Sequence, residues 1–466
     1  VITESSAEVE FHGGRARTGP LSWGQQGTWD GIQHWLPEIK PFFFLTRWLP
    51  VPLLLELGNV LEVVGELLRR HESLRTHFHV SPSGDVTQDV SASGTLLVDV
   101  YDRPADDPVE FSDIVTTCWQ RGTAEPFDHA RELPIRLSVA LHEGIPVVVV
   151  FALSHLAADY TGAELLVTEM AAMFKARVDG TAPPPPRRAL QPVDLALSER
   201  SPDGQLLNVE AMRRLRAELD RMPPATPARA EPASPRFVGA DLDSSALPVA
   251  VRRAARRYRT TTSVVLLAIA TALVRCFCPG PLHRLDVMQG NRVTPELMGS
   301  VTTLNQAVRT VIDLRADSFE ELLRRVERTM SDARAHSRYD TRAAQEVVRT
   351  WGGVLEPGTQ FNDMWSTIRT PRRTASEVDT TASELSWPAT SDAEDMVLYL
   401  DTRGTTDRMQ LALMADTAVL AREEIGAFLL AFERIAVVLA TEDIALDRVG
   451  ELFAESRARV VGPLTG

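Results

Sequence analysis

Cysteine is scarce in this chain: three residues in 466, Cys118, Cys276 and Cys278. An odd, sparse set cannot frame a disulfide scaffold and fits a reducing compartment, so a cytoplasmic location is expected. Cys276-Phe277-Cys278 lacks the spacing of a zinc knuckle and closes an apolar helical pattern, so buried thiols are expected there. No apolar stretch approaches the roughly 18 uninterrupted residues of a membrane span. Residues 1–10 have neither a basic start nor an apolar core, so they do not read as a signal peptide. The first residue is Val rather than Met, which leaves a trimmed or excised origin open. Basic charge is in deficit: 49 Lys and Arg against 63 Asp and Glu, a net charge of -14. Without clustered Lys and Arg, nucleic acid is excluded as a partner. What is present is ordinary globular material, 44% hydrophobic, in a chain long enough for two or more cores.

Organisation is legible from periodicity. Residues 53–71 and 161–175 read as helices, the second with Thr161 as its N-cap. Residues 96–101 and 135–142 read as strands. Four consecutive prolines (183–186) and a second proline-rich stretch (223–235) flank a charged helix at 209–221, and the boundary between two lobes is expected in this region. The resulting division is an N-terminal lobe over 1–182, a connection over 183–235 and a C-terminal lobe over 236–466. In the second lobe, 236–243 and 308–314 read as strands, and 261–276, 319–337 and 422–441 as helices. Residues 396–400 and 409–415 read as paired strands. Residues 370–395 are rich in Ser, Thr and Asp without period, so a long loop or lid is expected near 365–395. No repeat relates the halves.

The most informative segment is the apolar run Val147–Val150 leading into Phe151-Ala152-Leu153-Ser154-His155-Leu156-Ala157-Ala158-Asp159-Tyr160. A buried strand can carry such a run and present an imidazole at its end. Neutral imidazole accepts a proton near pH 7, as a general base must. Asp159 can fix local backbone or pair with a cation. By spacing alone the commoner reading is a satisfied histidine beside a helix-capping aspartate.

The neighbouring segments favour a site. Arg69-Arg70-His71-Glu72-Ser73-Leu74-Arg75-Thr76-His77-Phe78 resembles the RHExLRTxF motif of nonribosomal peptide synthetase condensation domains. Leu21-Ser22-Trp23-Gly24-Gln25-Gln26-Gly27-Thr28-Trp29 resembles that family's LSxxQxxxW. Gly290-Asn291-Arg292-Val293-Thr294-Pro295-Glu296-Leu297 resembles GRxxPEL with one extra residue, and Phe361-Asn362 resembles a strand-closing FN. They occur in family order across nearly the whole chain. Against the family's HHxxxDG motif, His155 and Asp159 are kept, while Ser154 stands for the first His and Tyr160 for the Gly.

The resemblance implies an α/β fold of two chloramphenicol-acetyltransferase-like lobes in a V-shaped pseudo-dimer, with a central tunnel open at both ends. It implies carrier proteins as partners, each bringing its cargo on a phosphopantetheine arm, and no cofactor or metal held by the domain. His155 would then take the proton of an attacking amine, and Asp159 would pair with Arg292 from the second lobe. Ser154, Tyr160, Ser22, Gln25, Thr303 and Asn305 are the tunnel candidates, with Ser22, Gln25 and Trp29 bracing its wall or floor. Arg75 is expected to be structural, and neither His71 nor His77 catalytic. Thr303 falls where the family has an Asn within GxFVNT, and Asn305 is the nearest Asn. Ser154 lacks a G-x-S-x-G elbow and is not read as a nucleophile. Three readings stay open: a condensation enzyme forming an amide or ester, a silent domain docking a carrier protein or a tailoring oxygenase such as a cytochrome P450, and a freestanding coenzyme A-dependent acyltransferase. No membrane contact is expected, and a monomer is expected because two lobes bury each other.

Overall fold

The computed structural model describes residues 3–34, 43–104, 110–223, 229–278, 280–353, 355, 357–368, 383–394 and 396–461. They form two α/β units, Val1–Asn208 with Gly290–Gln306, and Val209–Gln289 with Ala307–Gly466. The first division falls inside the stretch read as a connection. That stretch holds the helices Pro192–Glu199 and Pro202–Asp220. Proline at a helix start forfeits no hydrogen bond, so Pro192 and Pro202 open helices as readily as they break them. Among the described residues no helix is long and apolar enough to cross a membrane.

The first unit has eight strands among the described residues: β1 Thr3–Phe11, β2 Arg17–Pro20, β3 Phe44–Pro50, β4 Thr76–Val80, β5 Val86–Val90, β6 Gly94–Arg103, β7 Ile135–His142 and β8 Ile145–Ser154. Five form a sheet in the order β1-β6-β7-β8-β3, and β2-β5-β4 form a small one. Strand β8 explains the unbroken apolar run. Val149, Phe151 and Leu153 join the main core, while Val148 and Val150 join a second cluster with Ile114 and Cys118. Both faces are covered, so alternation with polar residues is lost. The helix Leu57–Arg70 turns Val60, Val63, Val64, Leu67 and Leu68 into the main core, the stripe its spacing predicts.

The RHExLRTxF segment ties this helix to the one that follows the candidate site. Arg70 Nη1 and His71 Nε2 lie 2.6 and 2.8 Å from the two carboxylate oxygens of Glu169, on the helix Tyr160–Val178. Burial works to raise the Glu169 pKa, but the hydrogen bonds and charges of His71 and Arg70 prevail and hold it below the usual range. Its contribution is therefore present above the ordinary glutamate pKa and is lost as pH falls through the lower, folded-state value. Glu169→Ala would strand a guanidinium and an imidazole in the core, with Glu66 alone among the described residues left as a carboxylate partner to Arg70. We expect a loss of about 3 kcal/mol in urea unfolding at pH 7. A loss under about 1 kcal/mol would show that solvent reaches the pair. Arg75 is structural in placement: 2% exposed, it donates to the carbonyls of Arg15 and Ser91.

The second unit adds β9 Phe237–Ser244, β10 Leu282–Gln289, β11 Gln306–Asp313, β12 Thr359–Asp363, β13 Glu384–Ser391, β14 Leu398–Gly404 and β15 Met409–Asp416, in the sheet order β11-β10-β12-β14-β15-β9-β13. Its core surrounds the helix Thr262–Val274, apolar on every side and capped by Thr261. Phe361 of the FN pair lies in that core.

Two expectations change here. The lid region is partly sheet: β13 pairs antiparallel with β9 at the sheet edge. Leu385 and Trp387 alternate toward the core, a short period hidden by the surrounding Ser and Thr. Pro388 is tolerated because an edge strand has an unpaired side, and residues 369–382 and 395 of that region lie outside the described residues. Cys276 is exposed and Cys278 half-buried, against the expectation of buried thiols, because Phe277 takes the core position after the helix ends at Val274.

Candidate active site around His155

Strand β8 ends at Ser154, paired with Phe44 of β3, and delivers His155 onto a tight turn. The turn is held at both of its peptide groups. His155 N–H donates to the Phe43 carbonyl at 2.8 Å, and the His155 carbonyl accepts from Thr303 Oγ1. Leu156 N–H reaches back to Ser154 Oγ at 3.2 Å, and Ala157 N–H to the Ser154 carbonyl at 2.9 Å.

Asp159 then starts the helix Tyr160–Val178. It is the N-cap, accepting from Gly162 N–H at 2.8 Å, where Thr161 had been expected; the carboxylate precedes the threonine in the chain and reaches the free N–H first. The same oxygen accepts from Arg292 Nη2 at 2.6 Å, and the other from Leu304 N–H at 3.1 Å. The pair is sealed, with side chains 3% and 10% exposed. Arg292 is also fastened to the carbonyls of Leu297 and Ser300 at 2.8 and 2.7 Å. One guanidinium thus gathers its own loop and joins it to the turn.

Arg292 was expected from the second lobe. The loop that carries it, Gly290–Gln306, belongs to the first unit, and its Val301 sits in that unit's core. The extra residue in the GRxxPEL-like segment is absorbed by Asn291, which takes a left-handed φ of 55° and donates to the Leu304 carbonyl at 2.8 Å. Asparagine is one of the few non-glycine residues at ease in that region.

Ser22 and Gln25 are fully buried and brace the turn from behind. Each backbone N–H bonds the other's side chain, at 3.0 and 3.3 Å, closing a helix start. Gln25 Nε2 also lies 3.5 Å from the Leu156 carbonyl. Gly24 is needed for contact: a Cβ there would stand 2.4 Å from the Thr303 carbonyl oxygen. Thr303 and Ser154 are likewise buried, so they hold the turn, while His155, Tyr160 and Asn305 keep part of their surface open. The Tyr160 ring lies under the Arg47 guanidinium, 4.7 Å away, and Arg47 Nε donates to Glu164 at 2.6 Å.

Burial lowers the His155 pKa, opposed by the charge of Asp159 and by the residue's own backbone. The imidazole is therefore neutral at pH 7. Its Nδ1 is buried without a hydrogen-bond partner among the described residues. A neutral, part-open imidazole on a rigid turn can accept a proton or orient an amine.

Sequence reasoning missed His129 and Arg47. His129 Nε2 lies 2.7 Å from Ser154 Oγ. Neither residue falls in a motif, and only the fold brings them to the turn. His71 is committed to Glu169, and His77 stacks on His79 with ring centroids 6.4 Å apart, so neither approaches His155 by bonding.

The condensation-domain family model matches residues 17–442, and the chain belongs to that family. A linear gramicidin synthase from Brevibacillus parabrevis is 25% identical over 341 residues, 68% of this chain but 6% of that protein. The chain thus spans a small fraction of the curated relatives it matches. Among solved structures, the first condensation domain of the calcium-dependent antibiotic synthetase, in complex with a substrate analogue, superposes with a TM-score of 0.69 at 15% identity, covering 92% of this chain and 98% of that one. The X-domain in complex with OxyB from teicoplanin biosynthesis gives 0.63 at 20% identity, covering 94% of each. These likenesses establish the fold.

Proposed function

We propose that this domain transfers an acyl or peptidyl group from a carrier-protein thioester to an amine or hydroxyl acceptor, with His155 as the proton-handling residue. The observation that carries the reading is a neutral, part-open His155 on a turn pinned by Thr303, Phe43 and the Asp159–Arg292 pair. The acceptor nitrogen attacks the thioester carbonyl carbon. The C–N bond forms, the C–S bond breaks, and the nitrogen's proton passes to the His155 imidazole and on to the departing thiolate. The thioester is already activated, so no covalent enzyme intermediate is required. Holding both cargoes at the turn can itself supply several kcal/mol of the barrier reduction. Asp159 and Arg292 position the turn and do not touch substrate. The carrier proteins that bring the cargoes on phosphopantetheine arms are the partners in this reading, and the domain acts as a monomer without a cofactor of its own.

The test is a reconstituted transfer. A loaded donor carrier protein is mixed with amines and alcohols, free and carrier-bound, with coenzyme A thioesters as alternative donors, and intact-protein mass spectrometry follows the acyl group. Transfer to at least one acceptor is expected. A second reading draws on Ser154 and Tyr160, which depart from the family motif, and on the fold shared with the X-domain solved in complex with OxyB. In it the domain is a docking platform. No transfer to any acceptor, with tight binding to a carrier or an oxygenase, would establish that reading instead.

Tyr160 stands where the family has Gly, so its ring is a candidate selector of acceptors. Tyr160→Gly is expected to raise the kcat/KM ratio of carrier-bound over free acceptor about tenfold. An unchanged ratio would show that the ring, laid against Arg47, stands clear of the acceptor.

A further inference from the structure

One polar pair backs the site turn and is used by none of the chemistry above. His129 lies among Trp29, Phe78 and Phe127, with ring centroids 6.2, 5.9 and 5.7 Å away. Its backbone carbonyl accepts from Phe78 N–H at 2.8 Å, which fixes where the ring stands. From there Nε2 meets Ser154 Oγ at 2.7 Å. The same oxygen accepts from Leu156 N–H at 3.2 Å. Ser154 and Leu156 are the two chain neighbours of His155, so this hydroxyl bridges the residue that carries the imidazole.

A serine hydroxyl has one proton and two lone pairs. With one lone pair taken by Leu156 N–H, His129 Nε2 takes either the proton or the second lone pair. Ser154 is 1% exposed, so bulk water does not replace that partner. The same burial denies an acyl group access to the hydroxyl, which separates this pair from a Ser–His nucleophile.

We propose that His129 is a positioning residue for the transfer: through Ser154 it fixes the turn that aims the His155 imidazole. The inference rests on the acyl-transfer reading above. It also says how the chain tolerates Ser154 at the motif's first position: the second imidazole near the turn comes from His129, which reaches the loop from outside the motif. Burial pushes the His129 pKa down to about 4, with Glu132 and Asp128 raising it and Arg136 lowering it. At pH 7 the ring is thus neutral and can accept the Ser154 proton or donate Nε2–H.

The test reads His155 directly. The His155 ring resonance is followed by NMR in the whole chain, in the wild type, His129→Phe, His129→Gln and Ser154→Ala, alongside kcat and KM for carrier-dependent transfer. His129→Phe fills the aromatic surround but gives Ser154 no partner. It is expected to shift the His155 resonance and lower kcat about tenfold or more with KM within about twofold, because a small misplacement of a reacting group is costly. His129→Gln, which restores a polar partner, should recover most of the rate. His129→Phe combined with Ser154→Ala should lose no more than either alone, because the two act as one unit. A His155 resonance unmoved by both His129→Phe and Ser154→Ala, or a kcat within about twofold of wild type in both, would overturn the proposal. A wild type inactive with every acceptor would instead overturn the transfer reading, and the resonance would still decide whether His129 sets the ring.

Discussion

Asp159→Ala is expected to cost about 3–5 kcal/mol of folding stability and to remove transfer with it. The carboxylate accepts from three donors at once: Gly162 N–H, Leu304 N–H and Arg292 Nη2. Alanine leaves a helix start uncapped, a backbone N–H unmet and a guanidinium buried without its counter-charge. The last is the largest effect, because a buried charge that has lost its partner retains its full desolvation cost. Asp159→Asn separates the contributions. Asparagine keeps a side-chain oxygen for the Gly162 cap but not the charge opposite Arg292, so about half of the loss should remain. Urea unfolding of both variants and of Arg292→Ala measures this. If Asp159→Ala and Arg292→Ala each cost under about 1 kcal/mol, the pair is solvated, and the account of a pinned turn fails. If the pair acts as a unit, the double variant should lose much less than the sum of the singles.

Much of this site was legible because its parts are local in sequence. The β-branched run of β8 marks a strand covered on both faces, and a strand has to end, so His155 and Asp159 fall on the turn that follows it. The helix Leu57–Arg70 announces itself by its stripe. What could not be read is pairing at a distance. Nothing about Glu169 marks it as the partner of Arg70 and His71; it lies 98 positions from His71 and looks like any helical glutamate. His129, in an irregular segment 25 positions before Ser154, is invisible for the same reason. The loop Gly290–Gln306 shows a further limit. Chain position assigned it to the second half, but a 17-residue excursion can be built into the first unit when a residue such as Val301 supplies core and Arg292 supplies a bond. Local composition misled at β13, where Ser and Thr outnumber the two apolar residues that set the pleat. The charged helix expected at 209–221 begins earlier, at Pro202, because proline is at home in the first turn of a helix.

His155→Ala should reduce kcat about 10²–10⁴-fold while leaving the unfolding midpoint near that of wild type, the magnitude typical of a lost proton-transfer group. The midpoint is expected to hold because the turn is fastened through backbone and neighbours, by Phe43, Thr303, Ser154 and Asp159, and not through the imidazole. Removing a neutral, part-open ring whose Nδ1 has no partner among the described residues takes away no hydrogen bond the fold depends on. The pH profile carries a second, independent expectation. Because burial lowers the His155 pKa, the group remains a base below the ordinary imidazole range. Activity should rise with pH along a limb centred under about 6.5, the value of a free histidine. Raising pH through neutrality should then leave His155 unchanged, and any fall on the alkaline side belongs to another group. A limb centred above that value would mean that Asp159's charge outweighs burial, with the neutral imidazole still the active form but scarcer near neutrality. A loss below about tenfold in His155→Ala would mean that the imidazole orients the acceptor and water or the amine itself disposes of the proton.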